Sequence, residues 1–178
     1  MKALRAATAL ALVLSASSAF AIDSMALEYG NGNRTDVVRV SAQWNWKKPL
    51  WSSASTELTG HWDVNLSHWK ENRFDNVPGQ TQNFWSTGVT PVFRLQPAGS
   101  KTGIYGEAGL GVHYFSQLYN NNTSKLSTHY QFGTLIGVGY RFTQNFDLGL
   151  RVQHFSNGGF KEPNSGVNLG LVRAAYRF

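Results

Sequence analysis

The chain has 178 residues, a formal net charge of +6 and no cysteine. The missing cysteine excludes a disulfide framework, a Cys-ligated zinc site and an iron–sulfur cluster. Only 15% of residues are charged while 13% are aromatic, the reverse of a disordered chain, and no apolar stretch reaches the ~18 residues of a membrane-spanning helix.

Lys2 and Arg5 precede an apolar run from Ala6 to Ala16, and Ala19-Phe20-Ala21 supplies a small-x-small cleavage site. Residues 1–21 therefore read as a secretory signal peptide and 22–178 as a single exported, mildly basic domain.

Beyond it, apolar residues recur at every second position. Val38, Val40, Ala42, Trp44 and Trp46 alternate with Arg39, Ser41, Gln43 and Asn45; Leu58, Trp62, Val64 and Leu66 alternate with Glu57, His61, Asp63 and Asn65. The same period runs through Phe132, Thr134, Ile136, Val138, Tyr140 and Phe142, then through Phe146, Leu148, Leu150 and Val152. Period two means strands with one apolar face. Eight are expected, at 24–31, 34–46, 54–69, 82–96, 102–115, 127–142, 146–156 and 166–178. Most exceed the ~5–6 residues usual in soluble sheets and reach the ~9–11 that a tilted transmembrane strand needs.

The connections 70–81, 117–126 and 157–165 are long, polar and rich in Asn and Gly, whereas 96–101 and 143–145 are short; 47–53 is longer than that pattern predicts. The polar faces carry Arg39, Glu57, Asp63, Asp147 and Arg151, as a barrel interior would. Aromatic residues gather at the strand ends: Trp44, Trp46, Trp51, Phe142, Phe146, Tyr176 and Phe178 toward the turns, Trp69, Trp85, Tyr114 and Phe115 toward the loops. Such girdles mark membrane interfaces. Val172, Ala174, Tyr176 and the terminal Phe178 alternate in the manner of the insertion signal of bacterial outer-membrane proteins. The expected fold is all-β, an eight-stranded antiparallel transmembrane β-barrel in the outer membrane with both termini in the periplasm. Eight strands leave an interior filled by side chains, which excludes a channel. An outer-membrane enzyme, an adhesin or shielding protein, and a structural barrel remain.

Counting by two along the seventh strand, Phe146, Leu148, Leu150 and Val152 lead to His154 and Ser156. Two polar residues thus share the outward, apolar face near the long loops, close enough to act as base and nucleophile. Polar groups on a lipid face cost free energy, least near the interface.

His154-x-Ser156-Asn157-x-Gly159, followed by Pro163-Asn164-x-Gly166 on the last hairpin, resembles the lipid A 3-O-deacylase (PagL) family. Trp44-Asn45-Trp46, the stretch Leu58 to Asp63, Pro91-Val92-Phe93 and the stretch Glu107 to Val112 extend the similarity over most of the mature chain. The resemblance implies removal of the ester-linked acyl chain at position 3 of lipid A, in the outer leaflet. It implies Ser156 as nucleophile and His154 as general base. The Asn157 backbone N–H and the Asn164 side-chain amide would stabilise the oxyanion, and Gly158, Gly159 and Gly166 would let the loop bend. In one place the chain departs from the family: the triad acid is a Glu on the eighth strand, and Asn168 stands there. Glu162 in the adjoining loop is the candidate substitute acid.

His61, Asp63 and Ser67 imitate a triad but lie on the inward face, where a hydrogen-bond network is expected. His68, His113 and His129 have no metal-ligand spacing, so neither a metal nor another cofactor is expected. The implied partners are lipid A or lipopolysaccharide and the outer membrane; Lys70, Arg73, Lys125 and Lys161 on the loop side could meet lipid A phosphates. Nucleic acid is not expected, since no basic patch is concentrated enough. The sequence leaves open whether the protein works as a homodimer. The alternative function is a catalytically silent surface barrel, an adhesin or structural protein of the OmpX kind. A palmitoyl-transferring barrel of the PagP type matches less well, because its interior must hold a chain.

Overall fold

The computed structural model describes residues 21–99 and 102–178; the expected signal peptide, Ala21 apart, lies outside them, as do Ser100 and Lys101 of the expected turn at 96–101. Eight long strands make up the molecule: β1 (Ser24–Gly32), β2 (Thr35–Asn45), β3 (Thr56–Glu71), β4 (Gln82–Pro97), β5 (Gly103–Phe115), β6 (Tyr130–Arg141), β7 (Phe146–Ser156) and β8 (Val167–Arg177). Each pairs antiparallel with its chain neighbours, and β8 returns to β1 with Ser24 opposite Arg177, so the sheet closes without an edge. Closure pairs every strand on both sides, interrupted where Thr90 and Pro91 of β4 face Leu110 and Gly111 of β5, and so satisfies most backbone groups within the sheet, as a lipid environment demands.

The alternation read from the sequence is the alternation of burial. In β2, Val38 and Val40 are outward and exposed, while Arg39 and Ser41 are buried inside. In β7, Leu148, Leu150 and Val152 face out, and Asp147, Arg151 and Gln153 face in. Large apolar side chains are therefore the exposed ones on this protein, as suits a wall facing hydrocarbon.

Period two also corrects one expectation. Trp69 and Phe115 do not join the outer aromatic girdle: both are fully buried inside. Trp69 shares the face of Ser67, and Phe115 that of His113, so alternation turns both inward. Trp85, opposite His68 on the neighbouring strand, and Tyr114, next to Phe115 in sequence, do face out. The inward aromatics plug the loop end. The Trp69 ring lies 4.9 to 6.4 Å, centroid to centroid, from Phe84, Phe115, Tyr119 and Phe155, and Val37, Leu126, Val167, Leu169 and Leu171 complete the cluster.

Below the plug the interior is ionic. Glu28 takes Nη1 of Arg39 at 3.0 Å and Nη1 of Arg151; Glu107 takes Nε of Arg151 at 2.6 Å and Nη2 of Arg94 at 3.0 Å. Arg173 binds Asp147. Asp63 accepts from Gln43 Nε2 at 2.8 Å, and Ser67 Oγ from Arg39 Nε at 3.0 Å, so these two of the triad-like residues of β3 belong to this network, whereas His61 Nε2 is buried without a protein partner. Among the described residues, rings and ion pairs occupy much of the interior.

Two features of the connections were not expected. Residues 33–34 form a two-residue hairpin with both φ positive, 49° and 54°, the type I′ geometry that matches strand twist. A short hairpin, Asn120–Asn121 against Ser124–Lys125, caps the loop end. It is held by the buried Asn121 side chain, which donates to Asn33 O at 2.7 Å and accepts from Arg73 N–H at 2.7 Å.

Candidate active site

β7 and β8 are paired with His154 opposite Asn168, and β6 sets Thr134 against His154 and Phe132 against Ser156. His154, Ser156 and Asn168 share the outward face near the loop end, beyond the apolar ladder of Leu148, Leu150 and Val152. His154 Nδ1 lies 2.8 Å from Asn168 Oδ1. With the amide oxygen toward the ring, Nδ1–H donates to it, and in the neutral imidazole Nε2 is then the acceptor. That is the tautomer a general base requires. Among the described residues no hydrogen bond joins Ser156 Oγ to His154, nor to any other group; the hydroxyl is half-buried and free to turn.

Glu162 is not brought to the imidazole. Its Oε2 accepts the backbone N–H of Asn164 at 2.8 Å, two residues on, and the carboxylate is exposed. The acid therefore shapes its own loop.

Asn157 and Asn164 are brought together, and to each other: the Asn157 backbone N–H donates to Asn164 Oδ1 at 2.9 Å. The Asn157 side chain, 1% exposed, pins the loop. Its Oδ1 accepts Gly159 N–H at 2.9 Å and its Nδ2 donates to Lys161 O at 2.6 Å. Asn164 Nδ2 has no protein partner among the described residues and remains the donor not otherwise engaged. The loop is tied to the neighbouring one by Ser165 N–H to Lys125 O at 3.0 Å.

Gly166 has a second role that the motif did not reveal. Its φ is +71°, as expected of a loop-bending glycine, but a Cβ there would also stand 2.6 Å from His154 Cε1 and 3.2 Å from Nε2. The imidazole lies over a backbone that only glycine keeps clear. Such packing crosses strands and carries no signal in a linear motif. On the other side, Gly158 and Phe160 close over Phe132, whose ring centroid is 6.0 Å from that of Phe160. Phe160 itself is 82% exposed and projects from the rim.

Below the polar patch, two adjoining apolar grooves run along the outer wall. The nearer, of 360 Å³, is lined by Ile136, Val138, Leu150 and Val152; the next, of 440 Å³, by Ile104, Tyr140, Phe142, Leu148 and Val172. Among the described residues no group of three or more His, Cys, Asp or Glu could hold a metal ion. The patch thus offers an oriented imidazole, a neighbouring hydroxyl and an amide donor beside an apolar track, components of acyl transfer.

The pattern of the lipid A 3-O-deacylase (PagL) family matches residues 36–177. The chain belongs to that family. It is 32% identical over 151 residues to the lipid A deacylase PagL of Pseudomonas aeruginosa, covering 85% of this chain and 83% of that one. It is 31% identical over 162 residues to the lipid A deacylase PagL of Bordetella bronchiseptica, covering 86% and 83%. The crystal structure of the outer membrane enzyme PagL superposes with a TM-score of 0.76 at 27% identity, over 87% of this chain and 99% of the other. The N-terminal β-barrel domain of Pseudomonas aeruginosa OprF shares the fold alone, with a TM-score of 0.54 at 13% identity. As a PagL-family barrel the protein resides in the outer membrane.

Proposed function

We propose that the protein hydrolyses the ester-linked acyl chain at position 3 of lipid A at this lipid-facing patch, with Ser156 as nucleophile. His154 Nε2 takes the Ser156 proton as Oγ attacks the acyl carbonyl carbon. The resulting oxyanion is met by Asn164 Nδ2, while the Asn157 N–H holds Asn164 Oδ1 and so aims the amide. The bond from the carbonyl carbon to the sugar oxygen then breaks, His154 returns the proton to that oxygen, and water releases the acyl chain from Ser156 by the reverse sequence. Asn168 orients the imidazole through Nδ1 but brings no negative charge to the imidazolium.

The observation that carries this reading is the pairing of His154 Nδ1 with Asn168 Oδ1 on the lipid face. A buried polar network would have been built inward, where this fold has ample partners. The grooves below suit acyl chains lying along the wall, and Lys70, Lys125 and Lys161, exposed on the loop side, suit the phosphates of a lipid A headgroup. All residues named come from one chain, so the chemistry needs no homodimer.

The alternative, a catalytically silent surface barrel, is favoured by Asn in place of the family's Glu and by the unbonded Ser156 hydroxyl. Resting geometry is often looser than reacting geometry, so an unbonded hydroxyl is also what a hydrolase shows before its substrate arrives. Mass spectrometry of lipid A from membranes carrying the wild type or Ser156→Ala, at equal barrel abundance, separates the two. Loss of one 3-O-linked acyl chain with the wild type only supports the hydrolase; unchanged lipid A in both supports the silent barrel.

A further inference from the structure

At the turn end of the barrel, opposite the proposed active site, the interior opens into a cavity of 180 Å³ lined by Asn45, His61, Arg94, Gln96, Arg141 and Arg177. Its arginines differ in how they are matched. Arg94 is committed: Nε and Nη2 donate to Glu107 Oε2 at 3.3 and 3.0 Å, Nη1 lies 3.9 Å from Asp147, and the guanidinium covers the Tyr105 ring at 4.0 Å. Arg141 makes one hydrogen bond, from Nη2 to the neutral Gln96 Oε1 at 3.2 Å. Its Nε is buried with no protein partner, as are Nε of Arg177 and Nε2 of His61. Arg141 is 7% exposed and His61 3%. Among the described residues neither Arg141 nor Arg177 forms an ion pair.

A buried cation without a counter-charge is costly and is normally paired. The central network shows that this barrel does pair them: Arg39, Arg94, Arg151 and Arg173 each meet a carboxylate. At the turn end the buried Arg141 and the half-buried Arg177 converge with an imidazole and two side-chain amides; Asp147 and Asp23 act on them only through space, and Glu57 is taken up by Gln96 Nε2 at 2.6 Å. Guanidinium forks match the planar and tetrahedral oxygens of oxyanions, and two guanidiniums without an ion pair suit a phosphate, whether the dianion of inorganic phosphate or the monoanion of a phosphodiester. A volume of 180 Å³ is several times the ~30 Å³ of one water, room for a tetrahedral oxyanion with a little solvent.

We propose that this mouth, which the topology of outer-membrane barrels turns toward the periplasm, is an oxyanion-binding site that takes a phosphate group. The group is either free inorganic phosphate or the headgroup phosphate of a phospholipid from the inner leaflet. The site is independent of the deacylase reading, since it shares no residue with the β7–β8 patch.

The test uses the mature barrel in octyl glucoside, a detergent without phosphate. Its thermal unfolding midpoint is followed in rising sodium phosphate, in sodium chloride at matched ionic strength, and in dihexanoyl phosphatidylglycerol below its micelle concentration. A ligand bound only by the folded state raises the midpoint in a saturable way, here by about 3 °C or more, and Arg141→Gln should lose the rise. A rise with inorganic phosphate identifies free phosphate; a rise only with the lipid identifies a headgroup. Should Arg141→Gln fail to fold, ³¹P line broadening of phosphate by the wild type, reversed by excess unlabelled arsenate but not by chloride, supports the site instead. No rise and no broadening with either phosphate source, or equal responses to chloride, overturns the proposal.

Discussion

Inside the barrel, Glu28 is held by Arg39 and Arg151, Glu107 by Arg94 and Arg151, and Asp147 by Arg173 and the Tyr105 hydroxyl. On the outer wall, His154 has a single side-chain hydrogen bond and Ser156 none. Both regions set polar groups against apolar surroundings, but in the interior each of these carboxylates meets several partners drawn from different strands. The teaching of the contrast is physical. Polar groups that several strands satisfy together stabilise the fold, whereas polar groups left loose on a lipid face lower stability and persist for what they do.

The sharpest way to break the contrast is to remove the outer hydroxyl. Ser156→Ala should lower deacylation by on the order of 10³-fold or more while leaving the unfolding midpoint in urea unchanged, read by lipid A mass spectrometry and tryptophan fluorescence. Asn168→Glu acts in the opposite direction. An Asn can accept from or donate to Nδ1 at the same heavy-atom distance, so it permits the unproductive tautomer; a carboxylate only accepts and also stabilises the imidazolium. The related Asp-to-Asn change in a serine protease costs about 10⁴, so restoring the acid should raise kcat by up to that order, and an unchanged kcat would show that a negative charge opposite Nδ1 adds nothing to the rate.

Gly166→Ala sets a Cβ 2.6 Å from the imidazole and should lower kcat by about 10- to 100-fold by displacing the base. The interior responds in the opposite currency. Glu28→Gln leaves two buried guanidiniums poorly matched and should cost about 3–5 kcal/mol of stability, with deacylation per folded barrel the same. The smallest change is expected of Glu162→Gln. Its carboxylate serves Asn164 N–H and not His154, so activity should stay within about twofold, as for an exposed loop group. A loss as large as that of Ser156→Ala would return Glu162 to the catalytic centre.

Much of this was legible because alternation carries both burial and face. Counting from Val152 to His154 and Ser156 located the patch on the outer wall, and the eight strands follow within three residues of where the pattern set them. Other features were hidden for physical reasons. Trp69 and Phe115 sit at strand ends as girdle residues do, and only strict parity sends them inward. The Asn33-Arg34 turn lacks the glycine that normally announces a type I′ hairpin. The bond between Asn157 N–H and Asn164 Oδ1 depends on how the loop folds back, so two residues expected to serve side by side as oxyanion donors are found bonded to each other. The floor that Gly166 gives His154 comes from strand pairing, which no linear spacing encodes.

The most direct measurement of the central claim is covalent trapping. The barrel in detergent micelles is treated with a long-chain fluorophosphonate, digested, and the modified serine located by tandem mass spectrometry. The account predicts an adduct on Ser156 that forms in the wild type, forms faster in Asn168→Glu and is lost in His154→Ala. Lipid A deacylation that persists after full labelling of Ser156, or an adduct confined to another serine, would contradict it.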